Sequence, residues 1–154
     1  MNDSLAEIKN LRRMSTHLAT SGQPNEQHLA AIAREGFEVV INLALHDDPR
    51  YSLRDEADTV SSLGMEYIHI PVKFDSPTRD DLRLFFNAMG RNRNRKIWVH
   101  CAANMRVTAF MGLYWATQEG LSHDQAFELM NSVWKANEVW TAFISKNLEP
   151  THDG

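Results

Sequence analysis

Residues 97–108 read IWVHCAANMRVT. The apolar, β-branched run 97–99 predicts a short buried strand, and the residues beyond 105 are typical of a helix. Cys101, the one cysteine of the chain, therefore stands where a strand turns into a helix. Backbone N–H groups in such a turn converge with the positive end of the helix dipole, so they bind an anion and favour a thiolate. The turn predicts a nucleophile beside an anion site, although a free cysteine is also often a small buried hydrophobe.

Three side chains near Cys101 suit the same chemistry. Arg106 carries a planar guanidinium that can bind two oxygens of an anion and stabilise the charge that develops during transfer. His100 directly precedes the cysteine, where it can orient the turn and support the thiolate. Thr108 lies in the first helical turn, where its hydroxyl either donates to the thiolate or bonds to a carbonyl one turn back.

The rest of the chain predicts an α/β fold, because strand-like apolar runs alternate with stretches of helical period and the breaks between them are short. We expect an edge strand at 14–19, a central buried strand at 37–45, a strand at 65–72 and the strand before Cys101. Helices are expected near 24–35, 52–63, 78–90, 109–117, 122–133 and 138–147. The prediction is a single domain over 1–154, with its core at about 14–148 and a central, mostly parallel sheet of four or five strands flanked by helices.

Composition excludes several classes of function. The chain has 154 residues, of which 43% are hydrophobic and 23% charged, as in an ordinary globular domain. The net charge is −4 and basic residues cluster only at 91–96, so nucleic acid is not an expected partner. No apolar stretch approaches the ~20 residues of a membrane span, and acids stand where a signal peptide has a basic start. We expect no membrane partner and a cytoplasmic location. The scattered histidines, without a Cys-x-x-Cys or His-Glu-x-x-His, argue against a metal site.

The turn resembles the signature of the protein tyrosine and dual-specificity phosphatase superfamily, which is His-Cys, five residues, Arg, then Ser or Thr. Here four residues separate Cys101 from Arg106, and an ungapped overlay puts Asn104 at the family's glycine, Val107 at its arginine and Thr108 at its Ser or Thr. Further stretches resemble a group of bacterial phosphatase-like proteins, and the resemblance covers about residues 14 to 145. These stretches are Ser21-Gly22-Gln23-Pro24, Val40-Ile41-Asn42-Leu43 and Tyr67-Ile68-His69-Ile70-Pro71-Val72.

The resemblance implies a cysteine-phosphatase fold, no metal or organic cofactor, and a phosphorylated protein or small molecule as the partner. Cys101 would attack a phosphate monoester and form a phosphocysteine that water hydrolyses, with His100 supporting it. Asp75, which lies 26 residues before Cys101, would be the general acid, with Asp47 and Asp48 as second choices. The residues expected to bind the phosphate are Ala102, Ala103, Asn104, Met105, Arg106 and Val107.

Two other functions stay open at this point. Rhodanese-like sulfurtransferases are similar in the shorter loop, often Cys-x-x-Gly-x-Arg, onto which Cys101, Asn104 and Arg106 would fall. A phosphate-binding pseudophosphatase without turnover is the other alternative. Outside the loop, Ser21, Gln23 and Asn42 are expected as caps or turn residues, and the group Trp134, Asn137 and Trp140 as packing at a break between helices or as a pocket wall. The sequence makes no prediction of oligomeric state.

Overall fold

The computed structural model describes residues 4–46 and 52–149. After a short 3-10 helix at Ser4–Glu7, five strands form within these residues one sheet with the order β1-β2-β5-β3-β4. Strand β1 pairs antiparallel with β2, and every other pairing is parallel. The predicted α/β fold with a mostly parallel sheet is confirmed. The strands are β1 Arg12–Arg13, β2 Leu18–Ser21, β3 Val39–Asn42, β4 Glu66–His69 and β5 Ile97–His100.

Helices connect the parallel strands, and the chain supplies side chains that cap them. Asn25 and Thr78 each form a capping box, in which the side chain accepts from a backbone N–H of the first turn and the third helical residue bonds back. Asn137 caps the last helix by accepting from the N–H of Trp140. The helices are α1 Glu26–Arg34, α2 Glu56–Ser62, α3 Arg79–Arg91, α4 Met105–Gln118, α5 His123–Ala126, α6 Glu128–Val133 and α7 Glu138–Leu148.

Three of the predicted elements are wrong in detail. The expected edge strand at 14–19 begins instead at Leu18 and lies inside the sheet, because β1 folds back along it and takes the edge position. Gly90 does not end α3, since a glycine inside a helix costs only about 1 kcal/mol and the helix continues to Arg91. The expected helix at 122–133 is divided into α5 and α6 at Phe127.

Two apolar clusters, one on each face of the sheet, hold the strands in place. Alternate residues of a strand face opposite sides, so Val40 and Trp98 pack with α1 and α2, whereas Ile41 and Val99 pack with α3, α4 and α7. Helix α4 is buried along residues 107–114 and lies in the centre of the larger cluster. The connection from β5 to α4 therefore joins two fully packed elements. No helix in the described part of the chain is long and apolar enough to span a membrane.

Two glycines within helices have different surroundings, one closely packed and one open. A Cβ at Gly112 of α4 would lie 2.3 Å from the ring of Phe127, whereas a Cβ at Gly90 of α3 would have nothing within 4 Å. We expect Gly112→Ala to lower the free energy of unfolding by about 1–3 kcal/mol through overpacking. Gly90→Ala is the matched control and should raise it by about 0.5–1 kcal/mol. Urea denaturation measures both, and equal effects of the two substitutions would contradict this packing of α4 against Phe127.

Candidate active site

The turn from β5 to α4 places Cys101 at the carboxyl end of the sheet, as the sequence predicts. Strand β5 lies between β2 and β3, and the N–H of Cys101 donates to the carbonyl of Ser21 at 3.3 Å. Asn104 adopts a left-handed conformation with φ 67°, and α4 begins at the next residue. Four residues therefore connect a buried strand to a helix that is buried along 107–114, and the first of them, Cys101, is 1% exposed and lies in the larger apolar cluster.

Two asparagines hold this loop from outside. The Nδ2 of Asn10 donates to the carbonyl of Ala103 at 3.0 Å, and the Nδ2 of Asn104 donates to the carbonyl of Asn10 at 2.8 Å. Asn104 also donates to the Oγ1 of Thr20 at 3.0 Å. The loop is thereby bonded to the segment before β1 and to the end of β2. Asn10 was not predicted as a site residue, and its distance of 94 positions from Asn104 explains why.

Gly22 lets the chain after β2 approach the loop closely. Gly22 forms a bridge with Ala103, and the N–H of Gln23 donates to the carbonyl of Ala102 at 3.2 Å. A Cβ at Gly22 would lie only 2.6 Å from that carbonyl oxygen and 3.0 Å from the carbonyl oxygen of Lys9. Both obstacles are backbone atoms, so only glycine fits at this position without a shift of the loop.

Arg106 and Val107 point into different surroundings. The side chain of Val107 is fully buried in the larger apolar cluster, so only its backbone is left for the predicted phosphate contact. Arg106 is half-buried, with its guanidinium carbon 5.5 Å from the centre of the Phe74 ring. The Nε of Arg106 is buried and has no hydrogen-bond partner among the described residues. The overlay position that the phosphatase signature gives to arginine is thus a core residue, and the available guanidinium is one position earlier.

Asp75 lies in an exposed turn, next to the residue that Arg106 touches. The turn closes with the N–H of Ser76 donating to the carbonyl of Lys73 at 3.2 Å, and the Oγ of Ser76 lies 3.4 Å from Oδ1 of Asp75. Trp140 anchors this segment, because its Nε1 donates to the carbonyl of Phe74 at 2.7 Å and its ring packs on Phe74. Arg106 thus contacts the ring of Phe74, and Asp75 is the residue that follows Phe74 in the chain. Asp47 and Asp48 lie outside the described residues.

The aromatic residues at the break before α7 support this turn and the loop together. Trp134 packs on Phe74 and Trp140, and its Nε1 donates to the Oγ1 of Thr108 at 3.0 Å. Thr108 in turn donates its hydroxyl hydrogen to the carbonyl of Met105 at 2.9 Å. Of the two readings of Thr108, the structure has the bond to a carbonyl one turn back.

A buried pair, Glu56 and His100, lies next to the loop, and Glu56 was not predicted as a site residue from the sequence. The Nε2 of His100 bonds to Oε2 of Glu56 at 2.6 Å, and both side chains are 0% exposed. The Nε2 of Gln23 donates to the other oxygen of Glu56 at 2.7 Å. Burial opposes ionisation of Glu56, yet the charge of His100 and hydrogen bonds from His100 and Gln23 leave the pKa of Glu56 below its ordinary value. One signal was available, since Glu56 lies four positions before apolar Val60 and so shares its buried helix face.

A second group of polar side chains continues from the pair along the ends of β3 and β4. The Nδ2 of Asn42 donates to Nε2 of His46 at 2.9 Å and to the Oη of Tyr67 at 3.0 Å, and His69 donates to the carbonyl of Ala44. Burial and the neighbouring His69 hold the pKa of His46 below its usual value. Burial, followed by the charge of Glu56, raises the pKa of Tyr67. Among residues 4–46 and 52–149, no group of three or more His, Cys, Asp or Glu side chains could hold a metal ion.

Ser21 has a structural role at the end of β2. Its Oγ donates to the carbonyl of Gly22 at 2.7 Å and accepts from Nε1 of Trp98 at 2.8 Å. Ser21 is thus a strand residue and not the expected turn residue, whereas Gln23 and Asn42 belong to the polar groups around Glu56 and Tyr67.

Comparisons with known proteins point to one superfamily. A family model described as "DSP-PTPase phosphatase fused to NAD+ Kinase" matches residues 4–142. The fold is similar to that of a protein described as "Putative phosphatase (DUF442)" from Shewanella putrefaciens CN-32, with a TM-score of 0.81, 32% identity and coverage of 93% of each chain. It is also similar to TpbA from P. aeruginosa in complex with pTyr, with a TM-score of 0.65, 20% identity and coverage of 85% of this chain and 76% of TpbA.

A third solved structure, Tk-PTP in its active form, has a TM-score of 0.74 and 21% identity, with coverage of 90% of this chain and 95% of Tk-PTP. The comparison with curated proteins finds no match. The family model is that of a DSP-PTPase phosphatase, and the Shewanella protein at 32% identity is described as a putative phosphatase. The predicted resemblance and the cysteine-phosphatase type of fold are therefore confirmed.

The left-handed backbone at Asn104 predicts a difference between two substitutions. Asn104→Ala would force alanine into this conformation, at about 1–2 kcal/mol, and would remove two hydrogen bonds worth about 1 kcal/mol each. Asn104→Gly loses the same bonds without the backbone strain, so its cost should be smaller by about 1 kcal/mol or more. Urea denaturation measures both free energies of unfolding, with the exposed Asn94→Ala as a control that should change little. Equal losses for the alanine and glycine variants would mean that the left-handed turn is not a constraint.

Proposed function

This chain belongs to the DSP-PTPase phosphatase family, and we propose that it is a cysteine-dependent phosphatase that hydrolyses a phosphate monoester through a phosphocysteine intermediate. One observation carries the proposal: a single four-residue turn brings the thiol of Cys101, the first turn of α4 and the guanidinium of Arg106 to the carboxyl end of the central strand. In parallel sheets, ligands bind at this end of the strands.

The loop offers donors to a phosphate dianion. The N–H groups of the first turn of α4 have no partner within the helix, and the helix dipole adds a partial positive charge there. Arg106 contributes a further donor, because its buried Nε makes no bond to any described residue and an oxyanion would satisfy it. The proposed binding set is 102–107, with Val107 contributing its backbone alone since its side chain is in the core.

The first chemical step transfers the phosphoryl group to sulfur. The thiolate of Cys101 attacks phosphorus and forms a P–S bond, while the ester P–O bond breaks and the leaving oxygen takes a proton from the carboxyl group of Asp75. Arg106 and the loop N–H groups stabilise the charge on the equatorial oxygens. The contact of Arg106 with Phe74 supports this assignment, because Asp75 follows Phe74 directly in the chain.

The second step returns the enzyme to its starting state. Asp75, now a carboxylate, accepts a proton from water as the water oxygen attacks phosphorus, and the P–S bond breaks. Inorganic phosphate leaves and the thiolate of Cys101 is restored. A phosphorylated protein or small molecule is the proposed substrate. Phosphotyrosine is a suitable probe, because the structurally similar TpbA was solved in complex with pTyr.

The spacing of four residues between Cys101 and Arg106 favours one competing activity, sulfur transfer. A sulfurtransferase would carry sulfane sulfur on Cys101 and would need no general acid. A phosphate-binding protein without turnover would need neither Asp75 nor a reactive thiol. The two experiments below separate all three functions.

Hydrolysis of para-nitrophenyl phosphate tests the nucleophile. We expect wild-type protein to turn over the ester between about pH 5 and pH 8 and Cys101→Ser to lose all measurable turnover, because a serine hydroxyl stays protonated in this range. Thiocyanate formation from thiosulfate and cyanide is measured on the same samples. An inert wild type that transfers sulfur would replace the phosphatase by a sulfurtransferase, and an inert wild type in both assays would leave a phosphate-binding protein.

Replacement of Asp75 tests the general acid. Asp75→Asn should lower kcat for an alkyl phosphate by about 10²–10⁴-fold, and the loss should be smaller for para-nitrophenyl phosphate, whose leaving oxygen needs little protonation. Asp80→Asn, an equally conservative change in the exposed first turn of α3, is the matched control and should leave kcat unchanged. If Asp75→Asn retains full activity on the alkyl ester, the assignment of Asp75 as the acid is wrong.

A further inference from the structure

The buried pair of Glu56 and His100 has no part in the chemical steps described above, although it touches the residue next to the nucleophile. The two side chains are 0% exposed and their closest atoms are 2.6 Å apart. They come from α2 and the end of β5, which are 44 positions apart in the sequence. A charged pair so deeply buried costs several kcal/mol of desolvation for each ion. The pair is therefore weak evidence for a contribution to stability, and His100 directly precedes Cys101 in the chain.

The hydrogen bonds of the pair join it to Gln23 and to the backbone of Cys101. The amide nitrogen of Gln23 can only donate, so the oxygen of Glu56 that it faces at 2.7 Å acts as an acceptor. The Nε2 of His100 faces the other oxygen of Glu56, and its Nδ1 faces the carbonyl of Cys101 at 3.4 Å. Both ring nitrogens thus face oxygen atoms, an arrangement that a doubly protonated imidazolium next to a carboxylate would satisfy.

The groups around the pair leave the imidazolium as the positive charge behind the thiol. Strand β3 contributes the uncharged Asn42, β4 contributes Tyr67 and His69, and the segment after β3 contributes His46. Tyr67 keeps its proton because burial, and then Glu56, raises its pKa, and His46 stays neutral near pH 7 because burial, and then His69, lowers its pKa. From α4, Arg106 adds a second cation on the phosphate side of the loop.

We propose that Glu56 is a positioning residue of the phosphatase reaction, whose carboxylate keeps His100 doubly protonated and so favours the thiolate of Cys101. The positive ring is one residue from the nucleophile, and the negative carboxylate lies beyond the ring. The ring contacts the carbonyl of Cys101 through Nδ1 at 3.4 Å, and in a buried site its positive charge acts on the neighbouring residue through little screening. The proposal rests on the proposed function, since it concerns the nucleophile of that reaction.

Glu56→Gln tests the charge with little change of shape, because a glutamine oxygen can still accept from His100. We expect the acid limb of the pH profile of kcat/KM for para-nitrophenyl phosphate to move up by about one pH unit. The loss then approaches tenfold well below the midpoint of the acid limb and becomes small well above it. Glu66→Gln is the matched control, because Glu66 pairs with Arg95 at the opposite end of the sheet. A loss that is the same at every pH would overturn the proposal.

A second substitution separates positioning from general damage. His100→Gln should produce the same shift of the acid limb, and in that background Glu56→Gln should add nothing, because the charge it controls is already absent. Additive effects of the two substitutions would contradict a role of Glu56 through His100. Thermal unfolding midpoints of all variants show whether each of them is folded.

Two measurements do not depend on turnover, so a failure of this inference can be distinguished from a failure of the proposed function. Ultraviolet thiolate absorbance reports on Cys101 alone when the spectrum of Cys101→Ala is subtracted, since the chain has one cysteine. We expect a smaller thiolate fraction in Glu56→Gln than in wild type at about pH 6. Nitrogen NMR of wild-type protein, assigned with His100→Gln, needs no folded Glu56 variant. It should show both His100 ring nitrogens protonated at about pH 7, and a neutral His100 ring would refute the proposal.

Discussion

The turn between β5 and α4 is the constraint on which the rest of this structure depends. Strand β5 is buried along its whole length and α4 is buried along 107–114. The four residues between them therefore connect two elements whose positions are fixed by packing. Asn104 achieves the reversal with a left-handed backbone, and the crossed bonds between Asn104 and Asn10 hold the turn against the start of the chain. The close approach of Gly22 completes the support. A loop held in this way keeps its N–H groups in place before any anion arrives, which is the condition for electrostatic preorganisation.

The two sides of the loop are supported by different kinds of interaction. On one side, aromatic rings of Phe74, Trp134 and Trp140 pack together and hold the turn that carries Asp75. On the other side, the polar side chains of Glu56, His100 and Gln23 form a hydrogen-bonded group. The first group supports the segment from Phe74 to Asp75, and the second contacts the backbone of Cys101 through His100. The loop is thus supported by a group of aromatic residues and by the polar pair of Glu56 and His100.

The position of Arg106 explains how a loop that is one residue shorter than the phosphatase signature remains compatible with anion binding. In the shorter loop, α4 starts at Met105, and the helical spacing turns Val107 into the core. The side chain of Arg106 lies beside Phe74 instead of in the core, and its Nε has no hydrogen-bond partner among the described residues. The shorter loop therefore places the guanidinium one position earlier in the chain than the signature does. It still lies next to the loop, in the first turn of α4.

Patterns in the sequence were sufficient for the α/β class, for most strands and helices and for the place of Cys101, because these depend on the period of apolar residues and on local caps such as Asn25 and Thr78. They were not sufficient for the edge strand, for Asn10 or for Glu56. Those depend on which strands become neighbours, and the order β1-β2-β5-β3-β4 brings together residues 44 and 94 positions apart. Local periodicity records which face of an element is buried, and it does not record what lies against that face. The candidate nucleophile was therefore visible in the chain itself, whereas the pair of Glu56 and His100 exists only once β5 and α2 have packed together.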